Sequence, residues 1–247
     1  MLDVNQKICK KIITPNNDFS KTTIAIGGSF NSFIDSSITR SSEVLICPTG
    51  ALQLSESRID LNTCVECLLC CFTSPEKVVR FVEELGSFKK FNNYCIDNPT
   101  FVTYWVAILL SSTKNNAKVG IEVKVGGGSR EKRIPLLSVI DDKATLWKVA
   151  KSPKNVERAA LALNDISELV NQSGGNKPSK IVILIESSEK NKSHDMILKF
   201  FEAKTGEHNF KLITLEYLWN VVKNWISTNS IDWDTTLFNN SKRIFHK

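Results

Sequence analysis

Apolar residues along this chain recur with two rhythms, one near 3.6 residues and one of 2, and the switches between them mark its elements. Behind Pro75, the positions Val78, Val79, Phe81, Val82 and Leu85 recur at helical spacing, and Gly86 is placed to end that helix. A second helix is predicted from about Pro99 to Ser112, where Phe101, Trp105, Ile108 and Leu109 share a face. Strands follow at Val119–Val125, Arg133–Ile140 and Thr145–Ala150, then a helix from about Asn155 to Asn171. A polar loop with Gly174, Gly175 and Pro178 leads to a strand at Lys180–Glu186, a helix near Ser193–Thr205, a strand at Phe210–Leu215 and a final helix to about Ile226. That order predicts an α+β protein. Its expected parts are a small N-terminal domain over 1–75, a helical connector over 76–115, and an α/β domain with a mixed central sheet over 116–247.

Composition narrows the class. The chain has 247 residues and is 42% hydrophobic, enough for a real core. It carries no run of about 18 apolar residues and no charged leader before an apolar stretch, so the expectation is a soluble, cytoplasmic protein without a membrane partner. A formal charge of +6 permits contact with nucleic acid without demanding it. Seven cysteines, an odd number and mostly clustered, argue for a reducing compartment rather than a disulfide framework.

The cysteines carry the strongest chemical signal. Cys64-Val65-Glu66-Cys67-Leu68-Leu69-Cys70 is a C-x2-C-x2-C triplet, and Cys47-Pro48 precedes it by a short spacer. Three thiolates at this spacing reach three corners of one small cluster from a tight loop, while a distant cysteine closes the fourth. The run from Val44 to Pro75 resembles bacterial-type ferredoxins, in which the ordinary run is C-x2-C-x2-C-x3-C-P and its last cysteine serves a second cluster. Here Ser74 stands at that last position, so the resemblance implies one [4Fe–4S] cluster held by Cys47, Cys64, Cys67 and Cys70. It also implies a two-stranded turn within the spacer from Gln53 to Thr63. Four cysteines also suit structural zinc, although zinc sites usually present two separated cysteine pairs. Cys71 is expected to point away as a packed or neighbouring thiol, and Cys9 and Cys95 to be buried small apolar residues.

The second half resembles the restriction-endonuclease-like nucleases in its order of helix, three strands, helix, strand, helix and strand. In that family one strand carries Pro-Asp and the next Asp/Glu-x-Lys, because two carboxylates hold Mg2+ and a lysine assists the attacking water. This chain departs at those points. Leu136 follows Pro135 where the carboxylate is expected, and Val149-Ala150-Lys151 keeps only the lysine, so the resemblance implies a degenerate domain. Ile121-Glu122-Val123-Lys124-Val125 offers another Glu-x-Lys on a strand, with Asp97 as an upstream partner; its alternative is the polar face of an edge strand.

Other chemistry is sparse. Gly126-Gly127-Gly128-Ser129-Arg130 lacks phosphate-loop spacing and reads as a hairpin turn. Arg130, Lys132, Arg133, Lys148, Lys151 and Lys154 form a basic patch if their strands lie side by side, one that contacts phosphates rather than bases; solvated lysines are the equal alternative. His194, His208 and His246 lack partners at metal spacing, and Trp147, Trp219, Trp225 and Trp233 are expected in the core or at its rim. The leading expectation is a one-cluster iron–sulfur protein fused to a catalytically degenerate, nucleic-acid-contacting domain. Ferredoxin-type electron transfer to a redox partner protein and Mg-dependent nuclease activity are the alternatives.

Overall fold

A computed structural model of the chain describes residues 11–13, 21–26, 29–34, 44–47, 49–53, 58–73, 87–113, 117–125, 131–140, 142–172, 178–186 and 210–228. The helices expected at 76–85 and 193–205, the glycine turn with Arg130, and Cys9, His194, His208, His246 and Trp233 lie outside these residues.

A mixed sheet of seven strands organises the fold, in the order β11-β10-β9-β8-β7-β3-β2. Its centre is an antiparallel meander of β7 (Lys118–Val125), β8 (Lys132–Ile140) and β9 (Lys143–Ala150). Parallel to β9 run β10 (Ser179–Leu184) and then β11 (Phe210–Thr214). The hairpin of β2 (Lys21–Ile26) and β3 (Ser29–Ile34) extends the other side by pairing Phe33 with Gly120 and Ile34 with Val119. β1 (Lys11–Ile13) and β4 (Val44–Ile46) form a separate parallel pair.

Helices cover both faces because the strands alternate between two cores. Ile181 and Ile183 of β10 face one core, Val182 and Leu184 the other. On the first side lie α1 (Leu69–Thr73), α2 (Phe88–Asp97), α3 (Pro99–Thr113) and α5 (Leu215–Thr228). α3 is apolar almost all round and is buried accordingly, from Phe101 to Ser111 nearly without a break. On the second side α4 (Pro153–Gln172) buries Val156, Ala159, Ala160, Leu163 and Ile166 at helical spacing. Pro153 starts it, and the Asn155 side chain accepts from both the Ser152 backbone N–H (3.3 Å) and the Ser152 hydroxyl (2.9 Å).

A boundary near Pro75 divides neither the sheet nor the core, because β2 and β3 pair onto β7 and one cluster of buried residues joins Cys47, Leu69 and Phe72 to Trp105, Trp147 and Trp219. The strand face of β7 is also not uniform. Val119 and Ile121 pack on the first core, whereas Val123 and Val125 pack on the second; in β8 Leu136 faces the first and Ile134 the second. Both strands turn over at the level of Glu122 and Pro135. Glu122 has a left-handed backbone, φ 52°, and Pro135 has no N–H to offer the ladder there.

Candidate functional site

The cysteine loop is built by short local structure on a deeply buried base. β5 (Leu52–Gln53) and β6 (Arg58–Ile59) form the two-stranded turn of the spacer. Next comes an Asp60-centred turn. Its side chain accepts from the Asn62 backbone N–H (2.9 Å) and the Thr63 hydroxyl, while its carbonyl accepts from the Cys64 N–H (2.9 Å). On the other approach the Gly50 N–H reaches the Cys47 carbonyl at 3.5 Å, and Gly50 has φ +69° with nothing within 4 Å of an added Cβ. Its glycine therefore serves backbone conformation rather than space.

Within the triplet, Glu66 (φ 57°) and Leu68 (φ 62°) are both left-handed and flank Cys67. Each such non-glycine residue costs about 1–2 kcal/mol, so the surroundings must hold them. The surroundings are specific. The Trp219 indole N–H donates to the Glu66 carbonyl (3.0 Å), and the Trp105 indole N–H donates to the Cys67 carbonyl (2.9 Å). The Glu66 carboxylate accepts the Ser87 N–H at the start of α2 (2.9 Å) and lies 3.9 Å from the Lys90 ammonium, which donates to the Leu61 carbonyl (2.6 Å). Sequence reasoning passed over Trp105, Trp219, Glu66, Lys90 and Asp60 as site residues. Only Asp60, followed by Asn62 and Thr63, left a recognisable turn signal.

The four expected ligand residues lie within electrostatic reach of one another at this loop. Cys47 and Cys67 are buried; Cys64 and Cys70 are half-buried. Burial pushes the Cys64 thiol up to about 11, and the Cys70 and Cys47 sulfurs add to the rise, against the Glu66 N–H and the Lys90 ammonium. Cys67 is held well above an ordinary thiol by burial and then by Cys70, Cys47 and Cys64, with the Leu69 N–H opposing. Cys70 is raised too, first by its hydrogen bond with the Cys71 side chain and then by burial, with backbone N–H groups opposing. Each triplet cysteine thus receives a backbone N–H and stands within electrostatic reach of its fellows. Among the described residues, however, no three His, Cys, Asp or Glu side chains converge on one metal ion. Cys95 is fully buried, as expected for a packing residue. Cys71 is buried in the core with its sulfur 3.9 Å from that of Cys70.

The nuclease-like positions fare differently. β8 and β9 pair from Ile140–Lys143 to Leu136–Trp147; beyond that level β8 continues its pairing with β7, and β9 with β10. Leu136 and Trp147 are buried at this fork, and the Trp147 indole donates to the buried Ser138 hydroxyl (2.8 Å). Glu122 is exposed, on the half of β7 beyond its recorded pairing with β3, and Lys124 pairs with Glu131 at 3.5 Å. Asp97 is an exposed residue ending α2. Of the basic residues, Lys132 is paired with Asp165 (3.1 Å), Arg133, Lys151 and Lys154 are exposed, and Lys148 is half-buried. The start of β8 and the end of β9 do lie at one end of the sheet, so Lys132, Arg133 and Lys151 share a region.

Comparison with protein-family models, curated proteins and solved structures finds no match. Among the described residues no helix is long and apolar enough to cross a membrane.

Proposed function

We propose that the chain is an iron–sulfur protein that holds one [4Fe–4S] cluster through Cys47, Cys64, Cys67 and Cys70. The observation that carries this is the gathering of a remote cysteine and a C-x2-C-x2-C triplet in one buried loop, with backbone N–H groups directed at three of the sulfurs. A cube is bound at four corners, each thiolate on its own iron, so its ligands stand apart rather than converging on a point. Zinc sites usually present two separated cysteine pairs, whereas this chain has a triplet and a singleton, and that spacing is the argument against zinc. Left-handed Glu66 and Leu68 and the turn at Asp60 orient the thiols; Lys90 offsets the charge beside Cys64. When bound, such a cluster supplies one-electron chemistry, a structural staple, or both.

We further infer that the sheet domain is a degenerate relative of the restriction-endonuclease-like nucleases, contacting nucleic acid without cutting it. Support comes from the element order, from the β8–β9 fork, and from Leu136 and Val149 standing where carboxylates would hold Mg2+. Electron transfer to a protein partner is a second reading, favoured by half-exposed Cys64 and by Leu61, 58% exposed beside it. The test is anaerobic reconstitution with iron and sulfide, followed by metal analysis and absorption spectroscopy. About four irons per chain with a broad thiolate-to-iron band is expected. One zinc per chain and no band would overturn the cluster reading.

A further inference from the structure

Two tryptophans from opposite parts of the chain seize consecutive carbonyls of the cysteine loop. Trp105 comes from the middle of α3 and Trp219 from α5, 153 residues beyond Glu66. Both are almost completely buried, and a buried indole N–H that loses its acceptor is left without water to replace it. The loop they hold contains the two strained residues on either side of Cys67. In a planar trans peptide the N–H points opposite to the C=O. With the Glu66 and Cys67 carbonyls turned to the indoles, the N–H groups of Cys67 and Leu68 are turned away from them.

The N–H groups that reach thiol sulfurs belong to the neighbouring residues, Glu66 at Cys64 and Leu69 at Cys67. Resting on the cluster reading, we propose that Trp105 and Trp219 are positioning residues of the cluster site, fixing the two peptide units between those donors and so the direction from which the donors reach the sulfurs. Hydrogen bonds to cluster sulfurs favour the reduced, more negative state, so peptide orientation here sets the reduction potential. The same clamp ties the site to α5. Phe72, two residues past Cys70, packs on Trp225 of that helix with ring centroids 4.3 Å apart, and Phe88 of α2 packs on Trp219 at 5.9 Å. The C-terminal helix thus holds the loop through one directed hydrogen bond and through ring contacts that a phenylalanine at 219 largely preserves.

The experiment uses the reconstituted full chain and its Trp219→Phe variant, which keeps a ring and loses the donor. The potential is followed by dithionite titration, the iron by its rate of release to a chelator. Trp219→Phe should load the same iron, show a more negative potential and release iron about fivefold faster, the change that loss of one net hydrogen bond implies. Phe88→Leu, which weakens packing but leaves the indole N–H, should leave the potential unmoved. A potential unchanged in Trp219→Phe overturns the proposal, even if iron leaves faster, because that pattern is a packing effect alone. Should Trp219→Phe fail to fold, the unsubstituted protein decides. The indole N–H resonances of Trp105 and Trp219 should shift or broaden on loading, and that of Trp147, bonded to Ser138, should serve as the reference. Unmoved Trp105 and Trp219 resonances overturn the clamp while leaving the cluster reading intact, whereas failure of the unsubstituted chain to bind iron removes both.

Discussion

The cysteine loop and the β8–β9 fork are both places where the backbone departs from regular structure, and they use the departure in opposite ways. At the loop, left-handed Glu66 and Leu68 flank Cys67 and are held by donors arriving from three helices. At the fork, left-handed Glu122 and Pro135 turn two strands over, yet the opening is filled by Leu136 and by Trp147 bonded to Ser138. One departure has polar groups gathered around it; the other is closed by an apolar plug.

The sharpest way to break this contrast is to remove the thiols one at a time. Serine at Cys47, Cys64, Cys67 or Cys70 should abolish stable iron binding, whereas Cys71→Ser should keep nearly full iron per chain despite its sulfur lying 3.9 Å from that of Cys70. Iron lost with Cys71→Ser and kept with Cys47→Ser would reassign the ligand set. Next in size is the effect of iron on stability. Metal-site formation is coupled to folding, so iron-free protein should melt about 10 °C lower and be cut first within 58–73, as followed by calorimetry and limited proteolysis. Equal melting and equal resistance would show that the hydrophobic base alone holds the loop.

At the other region, we expect duplex or single-stranded nucleic acid to bind weakly, with affinity falling about a hundredfold between about 50 and 200 mM salt if four basic residues meet phosphates. Neither Mg2+ nor Mn2+ should induce cutting. Cutting that Glu122→Ala abolishes would turn the plugged fork into an active neighbour of Glu122 and Lys124. A pH series separates the regions further. Cys64 has a folded pKa raised from 9.0 to about 11, so the iron-free fold favours its neutral thiol. That contribution is fully present below pH 9 and is lost as pH rises toward 11. Iron-free protein should therefore lose melting temperature across this window, and Cys64→Ser should flatten part of the loss. The smallest effect compares two left-handed glutamates. Glu122→Gly should raise the melting temperature by about 1–2 °C, since glycine accepts that backbone freely. Glu66→Gly should lower it, because the Glu66 carboxylate holds Ser87 and neighbours Lys90.

Much of the frame was legible because periodicity reports burial directly. α3, the meander, α4, β10, β11 and α5 all fall within a few residues of their predicted spans. α2 was missed although Phe88, Phe91 and Cys95 share its buried face, since Lys89, Lys90, Asn92 and Asn93 dilute the apolar signal. The β2–β3 hairpin was missed because pairing to β7 is a long-range choice that local pattern does not encode. Left-handed Glu66 and Leu68 had no glycine to announce them, and a tryptophan in a sequence declares bulk, not the carbonyl its N–H will find.

The hydrogen bond between Trp219 and Glu66 also sets an order of events in synthesis. It closes a stretch of 153 residues, and a chain made from its N-terminus exposes Cys47, Cys64, Cys67 and Cys70 long before that indole exists. Final shaping of the loop therefore waits for α5. Between synthesis of Cys70 and synthesis of Trp219 the four thiols stand on a loop that its own chain has yet to lock.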